Sequence, residues 1–292
     1  MNKVVYECPN RAVTTVRMDV RSAKDWEQWF LLSSDRHHDN AHTDHGLELK
    51  HLEMARERGA GIIDAGDLFC AMQGKWDKRA DKTALRDEYQ NGDYLDALVN
   101  HAVDFYAPYA DLFVVVGRGN HEQSIRKKHE TDLTERFCQG LTTKTGHQVH
   151  AGGYGGWVNF CIKRHGEHKR FRLKFFHGSG GGGMMSHGTL ATRRMASWLP
   201  DADIIMTGHT HDTWQVTLAR ERLTDSCEVV QDEQVHVKTG TYKEEYGDGY
   251  EGWHVERGAP PKPLGAWWLR FYCYKRNGKG TSEWRFDLIR AD

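Results

Sequence analysis

The chain predicts an α/β fold, and three observations carry that expectation. The first half alternates short apolar runs with amphipathic helical stretches. Several of those runs end in Gly, Asp, Asn or His, as strands do when they deliver polar groups to one sheet edge. The last part, residues 214–292, is mostly β in character and could form a second sheet of the same domain.

In chain order, Val13, Val16, Met18 and Val20 alternate with polar residues and predict a first strand. Trp29 to Leu32 predict a second, running into Ser33, Ser34 and Asp35-Arg36-His37-His38-Asp39. A helix is expected over Asp44 to Arg58, with Leu49, Leu52 and Ala55 inward and Gly59 as its stop. Gly61-Ile62-Ile63 opens a third strand, which delivers Asp64-Ala65-Gly66-Asp67. Residues 72–92 are polar and carry Lys75, Trp76, Lys78, Arg79 and Lys82. They read as a solvated stretch or as a substrate-facing insertion.

A helix with Leu95, Leu98, Ala102 and Phe105 on one face leads to the strand Leu112 to Val116. Gly119-Asn120-His121-Glu122 reads as a tight loop at that strand's end. Asp132 and Glu135 have capping-box spacing for a further helix, with Leu133, Phe137 and Leu141 buried. Gly152, Gly153, Gly155 and Gly156 mark a loop, and no helix pattern follows to make them a dinucleotide fingerprint. Trp157 to Ile162 and Phe171 to Phe176 predict a hairpin whose turn holds Lys163 to Arg170. His177 ends its second strand, and the glycines from Gly178 to Gly183 follow as a loop able to close over a site. Thr189 to Leu199 is a helix stopped by Pro200, and Ile204 to Met206 is a strand ending in Gly208-His209-Thr210-His211. Gly258 to Pro263 is a proline-rich linker.

A chain of 292 residues can bury a full core, and it is read as a single domain over residues 1–292. A formal net charge of -1 gives no global attraction to nucleic acid or to an anionic membrane. No stretch is apolar and long enough to span a bilayer, and Met1 to Asn10 lack the pattern of a signal peptide. The six cysteines form no Cys-x-x-Cys pair, which argues against a zinc ribbon or a redox motif. A soluble cytoplasmic protein is expected.

The chemistry lies in five clusters: Asp35-Arg36-His37, Gly66-Asp67, Asn120-His121, His177-Gly178 and Gly208-His209-Thr210-His211. Hard divalent ions favour carboxylate and amide oxygen, whereas imidazole suits zinc, iron and related ions. The set Asp35, His37, Asp67, Asn120, His177, His209 and His211 mixes both and suits two ions sharing one carboxylate. In Asp-x-His and His-x-His, an extended backbone would put residues i and i+2 on one side. The glycines before Asp67, Asn120 and His209 are expected to make sharp turns. His38, His187 and His236 are read as packed or surface histidines.

In that order and composition, the clusters resemble the calcineurin-like metallophosphoesterase superfamily, over Asp35 to His211. The resemblance implies two β-sheets packed face to face and flanked by helices, a four-layer sandwich. It implies that Asp35, His37 and His211 hold one metal, that Asn120, His177 and His209 hold the other, and that Asp67 bridges. The ions would be two divalent cations, Mn first, with Fe, Zn, Ni or Mg as alternatives. The implied reaction is hydrolysis of a phosphoester by a metal-bound hydroxide, with His121 as general acid and Glu122 orienting it. Many members have Asp where Cys70 stands, so a contact of that aspartate would be altered here.

The substrate hints diverge. Gly66-Asp67-Leu68-Phe69 resembles the second block of the double-strand-break repair nucleases in the superfamily. Arg118 to Glu122 resembles the protein serine/threonine phosphatases, and Gly-His-Thr-His fits the phosphodiesterase and nuclease branches. A phosphodiester substrate is expected, with DNA or RNA as one form of it. A phosphomonoester or phosphoprotein substrate and a non-catalytic scaffold are the alternatives. Arg126, Lys127 and Lys128, the cluster Lys75 to Lys82 and the cluster Lys163 to Arg170 could contact a nucleic-acid backbone, and Trp76 could stack on a base.

Overall fold

The computed structural model describes residues 3–72, 84–90, 92–181, 189–247, 253–256, 258–275 and 282–291. Its strands are β1 (Lys3–Asn10), β2 (Val13–Asp19), β3 (Glu27–Ser33), β4 (Gly61–Asp64), β5 (Phe113–Val116), β6 (Gly155–Arg164), β7 (Glu167–Phe176), β8 (Ile204–Thr207), β9 (Trp214–Leu223), β10 (Val229–Lys238), β11 (Ala266–Lys275) and β12 (Ser282–Ala291). Its helices are α1 (His45–Arg58), α2 (Tyr94–Tyr106), α3 (Asn120–His129), α4 (Leu133–Thr145), α5 (Thr189–Trp198) and the short α6 (Trp253–Glu256).

The strands make two mixed sheets, and the fold is α/β. One has seven strands in the order β1-β2-β6-β7-β8-β10-β9; the other has five in the order β12-β11-β3-β4-β5. Strands β3, β4 and β5 run parallel, as do β7 and β8, so the loops after each group leave one end of its sheet. Asp35, Asp67, His177 and His209 lie on those loops, and Asn120 opens α3 just after β5.

Period-2 side chains explain where the core sits. Inward residues of the seven-stranded sheet, such as Phe160, Leu173 and Met206, share one apolar cluster with Phe30, Ile63, Val114 and Phe271 of the five-stranded sheet. The five-stranded sheet puts Leu31, Ile62, Phe113 and Trp268 into a second cluster, with Leu52 and Ala55 of α1, Leu98 and Ala102 of α2, and Phe137 and Leu141 of α4. Met195 and Leu199 pack on Ile205, on another face of the seven-stranded sheet.

Several expectations need correction. The C-terminal strands do not form a sheet of their own: β9 and β10 extend the seven-stranded sheet, and β11 and β12 the five-stranded one. Strand β1 carried no clear alternation in the sequence, and it pairs with β2 through backbone groups at an edge. Gly155 and Gly156 belong to β6 rather than to a loop. In α1, Leu49 is 43% exposed, and Glu48 and His51 take the inward face instead. An apolar period cannot reveal that, because Glu48 is held inside by ion pairs. The α1 ends agree with expectation: the Asp44 side chain accepts from Leu47 N, and Gly59 closes the helix in the left-handed region. Asp132 likewise caps α4.

Candidate metal site

Gly-Asn-His-Glu is not a loop: Asn120 and His121 form the first turn of α3. The sequence signal was the spacing Gly119-x-x-Glu122, which supplies half of a capping box: the N3 carboxylate accepts from the N-cap N–H. Glu122 accepts from Gly119 N (2.8 Å), and also from Asp67 N (3.2 Å) and Phe69 N (2.9 Å). One buried carboxylate thus ties the Asp67 loop to the Asn120 turn. Burial first, and then the nearby Asp67 carboxylate, push the Glu122 carboxyl up to about 8. Its expected role as the orienting partner of His121 is replaced by this clamp. The group that holds His121 is the Cys70 carbonyl, 2.5 Å from Nδ1.

Four loops and the first turn of α3 bring the expected residues together in two groups. Asp35, His37 and His211 each offer one ligand atom, all within 4.8 Å of one another, and so do Asp67, His177 and His209. Asn120 Oδ1 sits in the second group, 3.0 Å from His177 Nε2 and 2.6 Å from His209 Nδ1. Asp67 Oδ2 is 3.1 Å from His177 Nε2 and 3.7 Å from His121 Nε2, and Oδ1 accepts from His121 N at 2.9 Å. In the first group, His37 Nε2 faces His211 Nε2 at 3.2 Å, and His211 Nε2 lies 3.4 Å from Asp35 Oδ1.

The backbone that presents these groups is unusual. Asp35, His37, Asp67, His209 and His211 all have positive φ, between 47° and 75°. The extended i, i+2 geometry expected for Asp-x-His and His-x-His is therefore not the one used. Left-handed non-glycine residues cost roughly 1–3 kcal/mol each, so packing must hold them. Gly66 does turn with positive φ, as expected. Gly119 and Gly208 serve close approach instead: a Cβ on Gly119 would overlap the Asp67 carboxylate, and one on Gly208 would overlap Ser34 and Asp35.

The packing that holds them escaped the sequence reading. Arg36 is fully buried, donates to Asp64 (2.8 Å), Glu48 (3.1 Å) and Ser33 (2.9 Å), and faces the Tyr106 and Tyr242 rings. Thr241 Oγ1 and Tyr242 N both donate to the Asp35 carbonyl. His209 N donates to Asp35 Oδ2 at 2.9 Å, and Ser34 Oγ donates to the same oxygen. The buried Lys238 amine donates to the Gly208 carbonyl at 2.7 Å. The signal for this region was Thr239-Gly240-Thr241-Tyr242, a further glycine-bearing stretch at the end of a strand.

Electrostatics match a cation site. Burial opposes ionisation of Asp35 and Asp67, yet the histidines around them hold both carboxyls below the usual range. Burial would lower His177, but Asp67 raises it to about 9. Burial, with His121 and His211 nearby, keeps His37 neutral. Asp35 Oδ1 and His37 Nδ1 are buried without a hydrogen-bond partner. Such atoms normally find one, and a divalent ion bound by Asp35 would provide it for the carboxylate oxygen.

A third group, His38, His45 and Glu48, has similar spacing but a different character. Arg86 Nη1 donates to His45 Nε2 at 2.7 Å, so the His45 proton sits on Nδ1, 3.3 Å from Glu48 Oε2. Arg36 and Tyr106 donate to the other oxygen. With His38 Nδ1, 3.0 Å from Oε2, four donors already fill Glu48, and the guanidinium groups of Arg36 and Arg86 oppose a further cation. His38 and His236 are buried, as the packed reading expected, and His187 lies outside the described residues.

The basic clusters fare unequally. Arg126, Lys127 and Lys128 are exposed on the last turn of α3, about 12 Å along its axis from Asn120 at Lys128. The Lys163 to Arg170 turn is at the far end of the hairpin, about 30 Å from His177 at 3.3 Å per residue. Trp76 and the Lys75 to Lys82 stretch lie outside the described residues. Of the insertion, Tyr89 is buried in the cluster that holds Leu98 and Ala102 of α2. Among the described residues no helix is long and apolar enough to cross a membrane.

No protein-family model matches this chain, and no curated protein matches it.

Proposed function

We propose that the protein is a two-metal phosphoesterase acting on phosphodiesters, built on a four-layer metallophosphoesterase-type sandwich. The two sheets would be its inner layers, with α1, α2 and α4 outside one and α5 outside the other; the shared apolar clusters support this. The observation that carries the functional reading is the pair of ligand groups meeting at strand ends, with His121 beside the Asp67 carboxylate.

The residues fit two divalent ions. Asp35, His37 and His211 would hold one, Asn120, His177 and His209 the other, and Asp67 both. Unpartnered Asp35 Oδ1 and the facing nitrogens of His37 and His211 are what a cation would join. Mixed nitrogen and oxygen donors suit Mn, Fe, Zn or Ni better than Mg alone. When bound, such ions neutralise phosphoryl charge and lower the pKa of an attacking water.

The chain's own residues supply the remainder. The Cys70 carbonyl accepts from His121 Nδ1, so Nδ1 carries hydrogen and Nε2 is the nitrogen that holds or gives up a proton. That nitrogen points to the Asp67 side of the site and is placed to protonate a leaving oxygen. Glu122 keeps the Asp67 loop and the start of α3 in register by accepting from Asp67 N and Gly119 N. Arg118 is tied to Asp132 by an ion pair.

Nucleic acid is the second reading, carried by the exposed Arg126, Lys127 and Lys128 near Asn120. Neutralising all three is expected to weaken binding of single-stranded DNA and reduce its salt dependence; unchanged binding returns them to a solvated helix end. The primary test compares hydrolysis of an aryl phosphodiester with that of the matching monoester, with Mn2+ present and Asp67→Asn as control. Faster diester cleavage that disappears in the variant is expected. Faster monoester cleavage would make the protein a phosphatase, and no metal-dependent cleavage of either would leave a binding scaffold.

A further inference from the structure

The seven-stranded sheet carries another set of charged groups at the end away from His177. Strands β2 and β6 run parallel there, with Asp19 beside Lys163, and Val20 N donates to the Lys163 carbonyl at 2.8 Å. β6 turns into β7 through His165 and Gly166, both with positive φ (44° and 87°). That is the two-residue turn a hairpin favours, and glycine suits its second position. The His165 ring reaches back across the turn, and its Nε2 donates to the Arg21 carbonyl at 3.1 Å. The chain leaving β2 and the hairpin tip are thereby tied together around a cavity of about 310 Å³. Small-molecule sites begin at about 300 Å³.

We propose that this cavity binds a phosphate-bearing small molecule with two or more negative charges, a phosphomonoester or a diphosphate. The proposal stands apart from the two-metal reading, since the hairpin tip lies about 30 Å from His177.

Charge and unmet hydrogen bonding support it. Arg21, Lys163 and Arg164 line the cavity against one carboxylate, Asp19. The chain as a whole has a formal net charge of -1, so this positive excess is local. Other strand arginines meet carboxylates: Arg17 meets Glu7, Arg220 meets Asp232 and Arg270 meets Glu27. Neither Lys163 nor Arg164 forms an ion pair among the described residues. Arg164 Nε is buried and has no hydrogen-bond partner there. Such a donor normally finds an acceptor. A guanidinium offers a planar fork of N–H donors that matches phosphate oxygens, and an ammonium adds a compact charge. Val20 is the one apolar side chain among the described lining residues, so a hydrocarbon ligand would find little to bury against. Arg21 and His165 are exposed at the rim, which leaves the cavity open to a ligand.

Pyrophosphate is the probe. It is titrated calorimetrically into the full-length protein after metal has been removed and the chelator dialysed away, so that no ion at Asp67 attracts it. One saturable site is expected. Arg164→Gln and, separately, Lys163→Gln should each weaken binding by about tenfold or more with unchanged circular dichroism, as the loss of a charge-assisted bond predicts. Replacing Arg126, Lys127 and Lys128 by Gln should leave the affinity unaltered. No saturable binding to the unaltered protein would overturn the proposal, and so would unchanged affinity in the two cavity variants. Sulfate or citrate binding as tightly as pyrophosphate would overturn it too, because the cavity would then be a general anion patch. Tighter binding of single-stranded DNA through Lys163 and Arg164 would replace the small phosphate with a nucleic-acid backbone.

Discussion

The two sides of the site are built differently. The Asp35 and Asp67 loops are almost wholly buried, with Asp35 0%, His37 1% and Asp67 2% exposed. They are locked by a charged network of Arg36, Glu48, Asp64, His38 and Tyr106. The His209–His211 loop is partly exposed, with His211 at 14%, and is held by single bonds from Lys238 and to Asp35. Left-handed candidate ligands occur on both sides, since His209 and His211 share that backbone with Asp35, His37 and Asp67, so what differs is the burial and the charged support beneath them. Damage to the first side should appear as lost stability, and damage to the second as lost activity.

The largest expected effect breaks the buried side. Arg36→Met leaves the Asp64 and Glu48 carboxylates buried with their main cation gone and should cost about 3–5 kcal/mol in urea unfolding. A loss under about 1 kcal/mol would show that the network does not support the loops. Next comes the chemistry. His121→Ala should keep both metals and lower kcat on the order of 10² to 10³, most for poor leaving groups. If the variant instead loses metal, His121 is a ligand.

His211→Ala sharpens the contrast from the accessible side. Metal content and turnover should drop, the latter by about a hundredfold, while unfolding stability stays within about 1 kcal/mol. Equal losses of stability from His211→Ala and Arg36→Met would erase the distinction between the two sides.

The smallest effect concerns pH and a residue outside the site. His236 on β10 is buried, its Nε2 is 2.9 Å from Gln234 Oε1, and burial pushes its pKa down to about 4. The folded protein therefore keeps it neutral, while the unfolded chain protonates it near 6.5. Its stability contribution is fully present above pH 6.5 and declines as pH falls towards 4, by about 1–3 kcal/mol in all. His236→Gln should flatten the acid limb of stability against pH without changing kcat at neutral pH. An acid limb as steep as before would remove His236 from that role.

Much of the site was legible because it is local. Asp35, Asp67, Asn120, His177 and His209 each follow an apolar strand, and a strand's end can be read from a short window. Their pairing into two groups was not local, and in the sequence it came only from the resemblance. The inward Glu48 was hidden because burial of a carboxylate depends on Arg36, twelve residues away. The role of Glu122 was hidden because its partners are backbone amides on two loops, which no residue type announces. The helical start at Asn120 is marked in the sequence by Gly119-x-x-Glu122, but with glycine rather than Ser, Thr, Asp or Asn at the N-cap the mark is weak.

By itself the sequence determined the strands and helices with strong apolar periods, the cap at Asp132, the stop at Gly59, and the residue types able to bind cations. Side-chain alternation tells that a strand has an inner face, but not which strand lies beside it. The tertiary structure alone decided that β9 and β10 join one sheet while β11 and β12 join the other, and that Thr241 and Tyr242 close over Asp35. It also decided the left-handed backbones at five of the seven candidate ligands. Those conformations are unfavourable locally and exist only because distant contacts hold them.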